Sequence, residues 1–340
     1  MNVQKVLGKS AYVLYALLLI GLPAIGQADD DFERVFIFGD SLSDAGNLFL
    51  LTGQVSTAPY LPVPAAPYDI GGHHFSNGKT WAERFAREIE KKKGRKKKKG
   101  SKGSKGQDGG KASLKKPGKY GNYAFGGARA RSNSGIGGPD NATQVAMYMG
   151  DFGAARSDAL YVIQFGGNDL RDALVAAEAD PNAAVAIIQA AVEELAISIQ
   201  TLYFSGARNF FVANAPNLAH APAVKLAGIS GVAGFFTGIY NGGLEGGLQQ
   251  LELALPEVVI HRLDMAGFTD DVVANPGQYR LSITDTPCLS FFVTTGAVCD
   301  EPREYLFWDG LHPTTAAHKQ LAKFAVAALR ADDDWGDVDD

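Results

Sequence analysis

Residues 36–47 read Phe36-Ile37-Phe38-Gly39-Asp40-Ser41-Leu42-Ser43-Asp44-Ala45-Gly46-Asn47. The apolar and aromatic run predicts a short buried strand over 34–38, and the Gly39-Asp40 pair predicts a turn after it. Ser41 lies on that turn, where a side chain is displayed rather than packed. A serine that follows an aspartate in such a turn is by itself more often a helix cap than a nucleophile. Its role therefore depends on the rest of the chain.

Three further apolar runs predict buried strands over 159–165, 209–213 and 258–263. Apolar residues at helical spacing predict helices over 80–90, 182–204, 234–255 and 314–330. Strands that alternate with helices in this way predict an α/β fold, a three-layer α/β/α sandwich around a mainly parallel sheet. Sheets of this kind carry their chemistry beyond the carboxyl ends of the strands. Polar segments follow three of the strands, at residues 39–41, 166–169 and 214–216.

A serine nucleophile needs a base with a pKa near neutrality, and the chain has six histidines. His312 differs from the others because Asp309 precedes it by three residues, in Trp308-Asp309-Gly310-Leu311-His312-Pro313-Thr314. Asp309 can accept a hydrogen bond from one ring nitrogen of His312 while the other nitrogen faces Ser41. The remaining histidines are interpreted as structural or surface residues, namely His73, His74, His220, His261 and His318.

Four segments together resemble the GDSL, or SGNH, family of serine esterases and lipases. They are residues 39–47, the run Asn122-Tyr123-Ala124-Phe125-Gly126-Gly127-Ala128, the run Gly166-Gly167-Asn168-Asp169, and residues 309–314. Ordered blocks of this kind are far more specific than a single motif. The resemblance implies the flavodoxin-like SGNH fold and a catalytic triad of Ser41, Asp309 and His312. It also implies an oxyanion hole made by Ser41, Gly126 and Asn168, with Gly127 as the alternative to Gly126.

Asp40, Asp44 and Asn47 surround Ser41 in the sequence, and we interpret them as residues that support its turn. Local similarities in residues 75–81 and 305–309 point to the phospholipase, lecithinase and hemolysin branch of the family. The resemblance implies a serine hydrolase that cleaves carboxylic esters, with lipid or phospholipid acyl esters as the expected substrates. Two alternatives stay open: an acyltransferase with the same triad, and a catalytically silent protein that binds an anionic surface.

The amino terminus has the layout of a secretory signal peptide over 1–28. Lys5 and Lys9 precede an apolar run over 11–25, and Gly26-Gln27-Ala28 supplies small residues at a cleavage point. We expect export to the periplasm or the medium, cleavage after Ala28, and a single domain over 29–340 without a membrane span. An exported protein meets an oxidising compartment, so the two cysteines, Cys288 and Cys299, are predicted to form a disulfide.

A basic tract over 91–119 holds 14 of the 32 Lys and Arg residues and one acidic residue, Asp108. Its Lys, Gly and Ser composition cannot bury enough apolar surface to order itself, so a disordered insertion is predicted. Contact with an anionic surface and a tolerated insertion that aids solubility are both open interpretations. Dedicated binding of nucleic acid is not expected, since no recognition motif accompanies the tract. No metal or cofactor is expected either, because no metal-ligand spacing occurs.

Overall fold

The computed structural model describes residues 32–97, 120–132 and 137–331. The main strands are β1 Arg34–Gly39, β2 Tyr120–Asn122, β3 Ala159–Gln164, β4 Asn209–Ala213 and β5 Val259–Leu263. All of them pair in parallel, in the order β2-β1-β3-β4-β5. This is the flavodoxin-like strand order. The predicted mainly parallel sheet is confirmed, and β2 is a short strand that the sequence pattern did not predict.

The helices of the described residues are α1 Asn47–Thr52, α2 Trp81–Lys97, α3 Asn141–Phe152, α4 Gly167–Ala177, α5 Pro181–Phe204, α6 Pro222–Leu226, α7 Ser230–Ala254, α8 Met265–Ala274 and α9 Thr315–Ala331. Successive strand residues face opposite sides of a sheet, so each face builds its own core. Phe36 and Ile163 pack with α3, α4, α5 and α7 on one side. Ile37 and Val162 pack with α2, α8 and α9 on the other. The predicted three-layer sandwich is therefore confirmed.

Helix α2 runs further than the sequence pattern predicted. It continues to Lys97, so residues 91–97 of the predicted disordered tract are helical. Lys and Arg have good helix propensity. The rest of the tract, residues 98–119, and the predicted signal peptide lie outside the described residues.

Two short parallel strands, β6 Ile283–Pro287 and β7 Tyr305–Phe307, form a second sheet. Cys288 follows β6, its N–H donates to the carbonyl of Phe307 at 3.0 Å, and its sulfur lies at bonding distance, 2.03 Å, from that of Cys299. β7 leads directly into residues 308–314. The small sheet and the cysteine pair thus anchor the segment that carries Asp309 and His312.

Among the described residues, α5 is the helix that is long and apolar enough to cross a membrane by length and composition, with a mean hydropathy of 1.5. One of its faces is buried in the core of the sandwich, where Ile188, Leu195 and Ile199 lie. The apolar composition of α5 is what a helix that covers a sheet requires.

Candidate active site

Ser41 lies in the segment that follows β1, which we call the serine turn (residues 39–47). Asp40 is buried and accepts hydrogen bonds from the N–H of Leu42 at 3.0 Å and from Nε2 of Gln164 at 3.2 Å. Burial raises the pKa of Asp40 to about 6, against the lowering effect of these two donors. Asp40 thus ties the turn to the end of β3, as a residue that supports Ser41.

His312 lies in the segment between β7 and α9, which we call the histidine loop (residues 308–314). Its Nε2 is 2.8 Å from Oγ of Ser41, and its Nδ1 is 2.7 Å from Oδ2 of Asp309. Oδ1 of Asp309 accepts the N–H groups of Leu311 and His312, each at 2.7 Å. The predicted triad residues are therefore brought together in a continuous chain of hydrogen bonds, 271 residues apart in sequence at its first step.

Tyr68 is a member of this chain that sequence reasoning missed. Its hydroxyl donates to Oδ2 of Asp309 at 2.8 Å, across a sequence separation of 241 residues. The ring is fully buried and packs edge-on against Trp308. Tyr68 lies in a loop without periodicity between α1 and α2, so no local signal in the sequence identifies it.

Asp44 fixes the far end of the serine turn. Its Oδ1 accepts the N–H groups of Gly46 at 2.8 Å and Asn47 at 2.6 Å, and its Oδ2 accepts those of Gly126 at 2.8 Å and Leu48 at 3.2 Å. Burial raises the pKa of Asp44 to about 6, while the four backbone donors oppose that rise. Asp44 therefore joins the first sequence block to the second.

Asn47 strengthens the same junction. Its Nδ2 donates to the carbonyls of Asn122 at 2.7 Å and Ala124 at 2.9 Å. Asn122 returns a bond, from its own Nδ2 to the carbonyl of Ser43 at 2.9 Å. The second block, at the end of β2, is thus held against the serine turn by side-chain amides.

A cavity of about 400 Å³ opens at the carboxyl ends of the strands, and Ser41, His312 and Asn168 line it. Asn168 is the second residue of α4, and its Nδ2 donates to the carbonyl of Ala128 at 2.9 Å. An amide nitrogen carries two hydrogens, so one N–H of Asn168 is left for a ligand in the cavity. This volume is typical of a small-molecule site.

Gly126 and Gly127 both line this cavity. The N–H of Gly126, however, donates to Asp44, in contrast to the predicted role as an oxyanion donor. The N–H groups of Gly127 and Ser41 have no acceptor among the described residues. Gly126 is required for packing instead, because a Cβ there would lie 2.0 Å from the ring of Phe75.

Two other histidines lie near the site without belonging to the chain of hydrogen bonds. His74 is buried, and although burial lowers its pKa, the hydrogen bond from its Nε2 to Glu83 at 2.7 Å raises the pKa overall. Burial lowers the pKa of His318 to about 3, and its Nδ1 accepts the N–H of Trp81 at 3.3 Å. Both are structural, as interpreted from the sequence. The described residues contain no cluster of three or more His, Cys, Asp or Glu side chains suited to a metal ion.

A family model described as GDSL-like lipase/acylhydrolase matches residues 35–325, which is most of the chain. The chain belongs to this family. The family consists of enzymes that cleave carboxylic esters, and the match spans the serine turn, the Asn168 segment and the histidine loop.

Three plant proteins that are similar in sequence agree with the GDSL assignment. Two GDSL esterase/lipases of Arabidopsis thaliana are similar: one is 25% identical over 88% of this chain and 88% of its own length, the other 26% identical over 92% and 91%. A GDSL lipase of Tanacetum cinerariifolium is 23% identical over 92% of this chain and 88% of its own. LAE5, a solved alpha/beta hydrolase from the metagenome of Lake Arreo, Spain, covers 87% of this chain and 94% of its own at 12% identity, with a TM-score of 0.45.

Proposed function

We propose that this GDSL enzyme is an exported serine hydrolase that cleaves carboxylic acyl esters through Ser41, His312 and Asp309. The observation that carries the proposal is the chain of hydrogen bonds from Ser41 Oγ to His312 Nε2, at 2.8 Å, and from His312 Nδ1 to Asp309, at 2.7 Å. A serine, a base within hydrogen-bond reach and a carboxylate that orients the base are what acyl transfer through a covalent intermediate requires.

The reaction proceeds in two halves. Oγ of Ser41 attacks the ester carbonyl while its proton passes to Nε2 of His312, and the alcohol leaves with that proton to give an acyl-enzyme. Water then attacks the acyl carbonyl, gives its proton to His312, and releases the acid as that proton returns to Ser41. Asp309 holds the ring of His312 in the tautomer that this exchange needs and stabilises the imidazolium.

For the oxyanion we propose the N–H groups of Ser41 and Gly127 and the side-chain amide of Asn168. Support comes from their position on one cavity and from the engagement of the Gly126 N–H with Asp44. Loss of one such donor typically costs about 2.7 to 4 kcal/mol of barrier. Asn168→Ala is therefore expected to lower kcat by about a hundredfold or more, as measured with a chromogenic ester. Full turnover in this variant would show that Asn168 is not one of the oxyanion donors.

We further propose that the substrates are lipid or phospholipid acyl esters and that the enzyme falls in the phospholipase, lecithinase and hemolysin branch. The plant relatives are named esterases or lipases, and these names support acyl esters as the class of substrate. Export with cleavage near Ala28 is supported by the signal-peptide pattern over 1–28. The mass of the protein recovered outside the cytoplasm tests the cleavage site.

The decisive experiment compares Ser41→Ala with Ser157→Ala, which changes an exposed serine before β3 at the opposite end of the strands. Each purified chain is treated with a fluorophosphonate probe and assayed with p-nitrophenyl butyrate. We expect the wild-type chain and Ser157→Ala to label and to turn over the ester, and Ser41→Ala to do neither. Labelling of Ser41→Ala at wild-type level would overturn the assignment of the nucleophile. Transfer of the acyl group to added glycerol, at the expense of hydrolysis, would identify an acyltransferase.

A further inference from the structure

The cavity next to Ser41 has one cationic wall. Arg171 lines it from α4, one turn after Asn168, and Leu174 follows on the same helix face at the next turn. Arg129 lines the cavity from the segment that follows Gly127. Arg171 is only partly exposed, so its guanidinium has lost part of its hydration.

The guanidinium of Arg171 has no hydrogen bond or ion pair with any residue that the structure describes. The acidic groups nearby are taken by other arginines: Asp172 is bound by Arg129 through Nε at 2.7 Å and Nη2 at 2.9 Å, and also by Arg131. Asp169 accepts the N–H of Ala130 at 2.8 Å. A half-buried cation without a partner is a cost that a bound anion would remove.

Among the described residues, no carboxylate around the cavity forms an ion pair with the guanidinium of Arg171. Asp40 also lines the cavity, but it accepts from the backbone of Leu42 and from the amide of Gln164. Asp169 lies 3.4 Å from Nε of Arg131, and burial raises the pKa of Asp169 to about 7. Burial, and after it the neighbouring Arg129, lower the pKa of Arg171, and the attraction of Asp172 does not fully offset them.

Part of the cavity lining is apolar. Leu42, Leu218 and Leu311 line both the main cavity and an adjoining narrow cavity of about 50 Å³. The narrow cavity continues between apolar side chains that include Met265 and Phe268. An acyl chain would gain by leaving water along this lining. Arg171 lines the main cavity but not the narrow one, so an acyl chain in the narrow cavity leaves the alcohol part of the ester in the cavity that Arg171 lines.

We propose that Arg171 binds an anionic group, a phosphate or a carboxylate, in the alcohol part of the ester that Ser41 cleaves. The inference rests on the proposed ester hydrolysis at Ser41 and adds the class of substrate. Arginine suits this role because its planar guanidinium donates two parallel hydrogen bonds to such an anion.

The test uses two esters that differ in one phosphate, 1-butyrylglycerol and 1-butyrylglycerol 3-phosphate. We expect wild type to prefer the phosphorylated ester. Arg171→Gln should raise its KM and lower its kcat/KM by about 10- to 100-fold, with kcat/KM for the neutral ester within about twofold. For the phosphorylated ester, the kcat/KM of Arg171→Lys should lie between those of wild type and Arg171→Gln. Arg303→Gln, which removes the same charge from an exposed site, is the matched control and should leave both values unchanged.

Two further measurements distinguish a wrong role for Arg171 from a wrong proposed function. In p-nitrophenyl hemiglutarate the anion is on the acyl part, so a loss confined to this ester in Arg171→Gln would overturn the alcohol assignment. An equal loss on all esters would make Arg171 structural. Binding of glycerol 3-phosphate to the Ser41→Ala chain, measured by calorimetry with and without Arg171→Gln, needs no turnover. Binding that is independent of Arg171 overturns the inference, whereas absent turnover of every ester with Arg171-dependent binding overturns only the proposed function.

Discussion

The serine turn and the histidine loop contain the same local motif. In each, a buried aspartate accepts with Oδ1 the N–H groups of the residues two and three positions later: Asp44 from Gly46 and Asn47, and Asp309 from Leu311 and His312. The two aspartates differ in the donors that the other carboxylate oxygen, Oδ2, accepts. In Asp44 it accepts the backbone N–H groups of Gly126 and Leu48, and in Asp309 it accepts side-chain donors from His312 and Tyr68.

This difference assigns the two aspartates to separate tasks. A carboxylate that meets only backbone donors fixes the path of the chain, so Asp44 holds the serine turn against the second block. A carboxylate that meets a ring nitrogen also fixes a tautomer, so in the proposed mechanism Asp309 acts on the proton that His312 exchanges with Ser41. The same substitution, aspartate to asparagine, should therefore have different consequences at the two positions.

Asp309→Asn should give the largest effect. The asparagine carbonyl can still accept the N–H groups of Leu311 and His312, so the loop should keep its shape, but the amide nitrogen cannot accept from Nδ1 of His312. We expect kcat to fall by about 10⁴-fold with a small change in unfolding temperature, since the wrong tautomer is then favoured. Ester turnover and thermal unfolding of the purified variant measure both. Turnover within tenfold of wild type would refute the role of Asp309.

The sequence predicted the contacts between residues that are close in the chain, and it missed the contacts that each aspartate makes with a distant residue. Asp309 and His312 are three residues apart, so their relation is visible in the sequence, and the strand before Ser41 follows from its apolar pattern. Tyr68 joins Asp309 only because the fold closes a separation of 241 residues. The choice between Gly126 and Gly127 depends on which N–H faces Asp44, and two adjacent glycines carry no pattern that decides it. Short strands such as β2 and β7 have too few residues to show a period.

Asp44→Asn should change stability more than chemistry. An amide nitrogen in place of Oδ2 leaves the N–H groups of Gly126 and Leu48 without an acceptor, in a fully buried position. Unsatisfied buried donors cost about 1 to 3 kcal/mol each, so the loss of both acceptor contacts should lower the free energy of unfolding at pH 5 by about 2 to 6 kcal/mol. Urea unfolding measures this, and kcat should fall by about tenfold or less. A stable variant with the turnover of Asp309→Asn would place Asp44 in the proton chain.

The pH dependence of the free energy of unfolding tests the structural role of Asp44 separately. The folded-state pKa of Asp44 is about 6, because of burial, while an unfolded aspartate titrates near 3.9. The folded state therefore binds the proton more tightly, and this contribution to stability is present below pH 4 and lost as the pH rises through 6. Relative to Asp44→Asn, the wild-type chain should lose up to about 3 kcal/mol between pH 4 and pH 7. Urea unfolding of both chains across this range measures it, and a difference that grows with pH would contradict the assignment.

Tyr68→Phe should give the smallest effect and separates orientation from charge at Asp309. The substitution keeps the ring that packs on Trp308 and removes only the hydroxyl that donates to Oδ2. Since His312 and two backbone N–H groups still hold the carboxylate, we expect kcat to fall by about 3- to 10-fold, with KM unchanged. Tyr60→Phe is the matched control, because its hydroxyl lies 3.4 Å from Asp69 and does not reach the triad. If both variants kept wild-type kcat, the histidine loop alone would orient the carboxylate of Asp309. The hydrogen bond from Tyr68 would then contribute to packing and not to turnover.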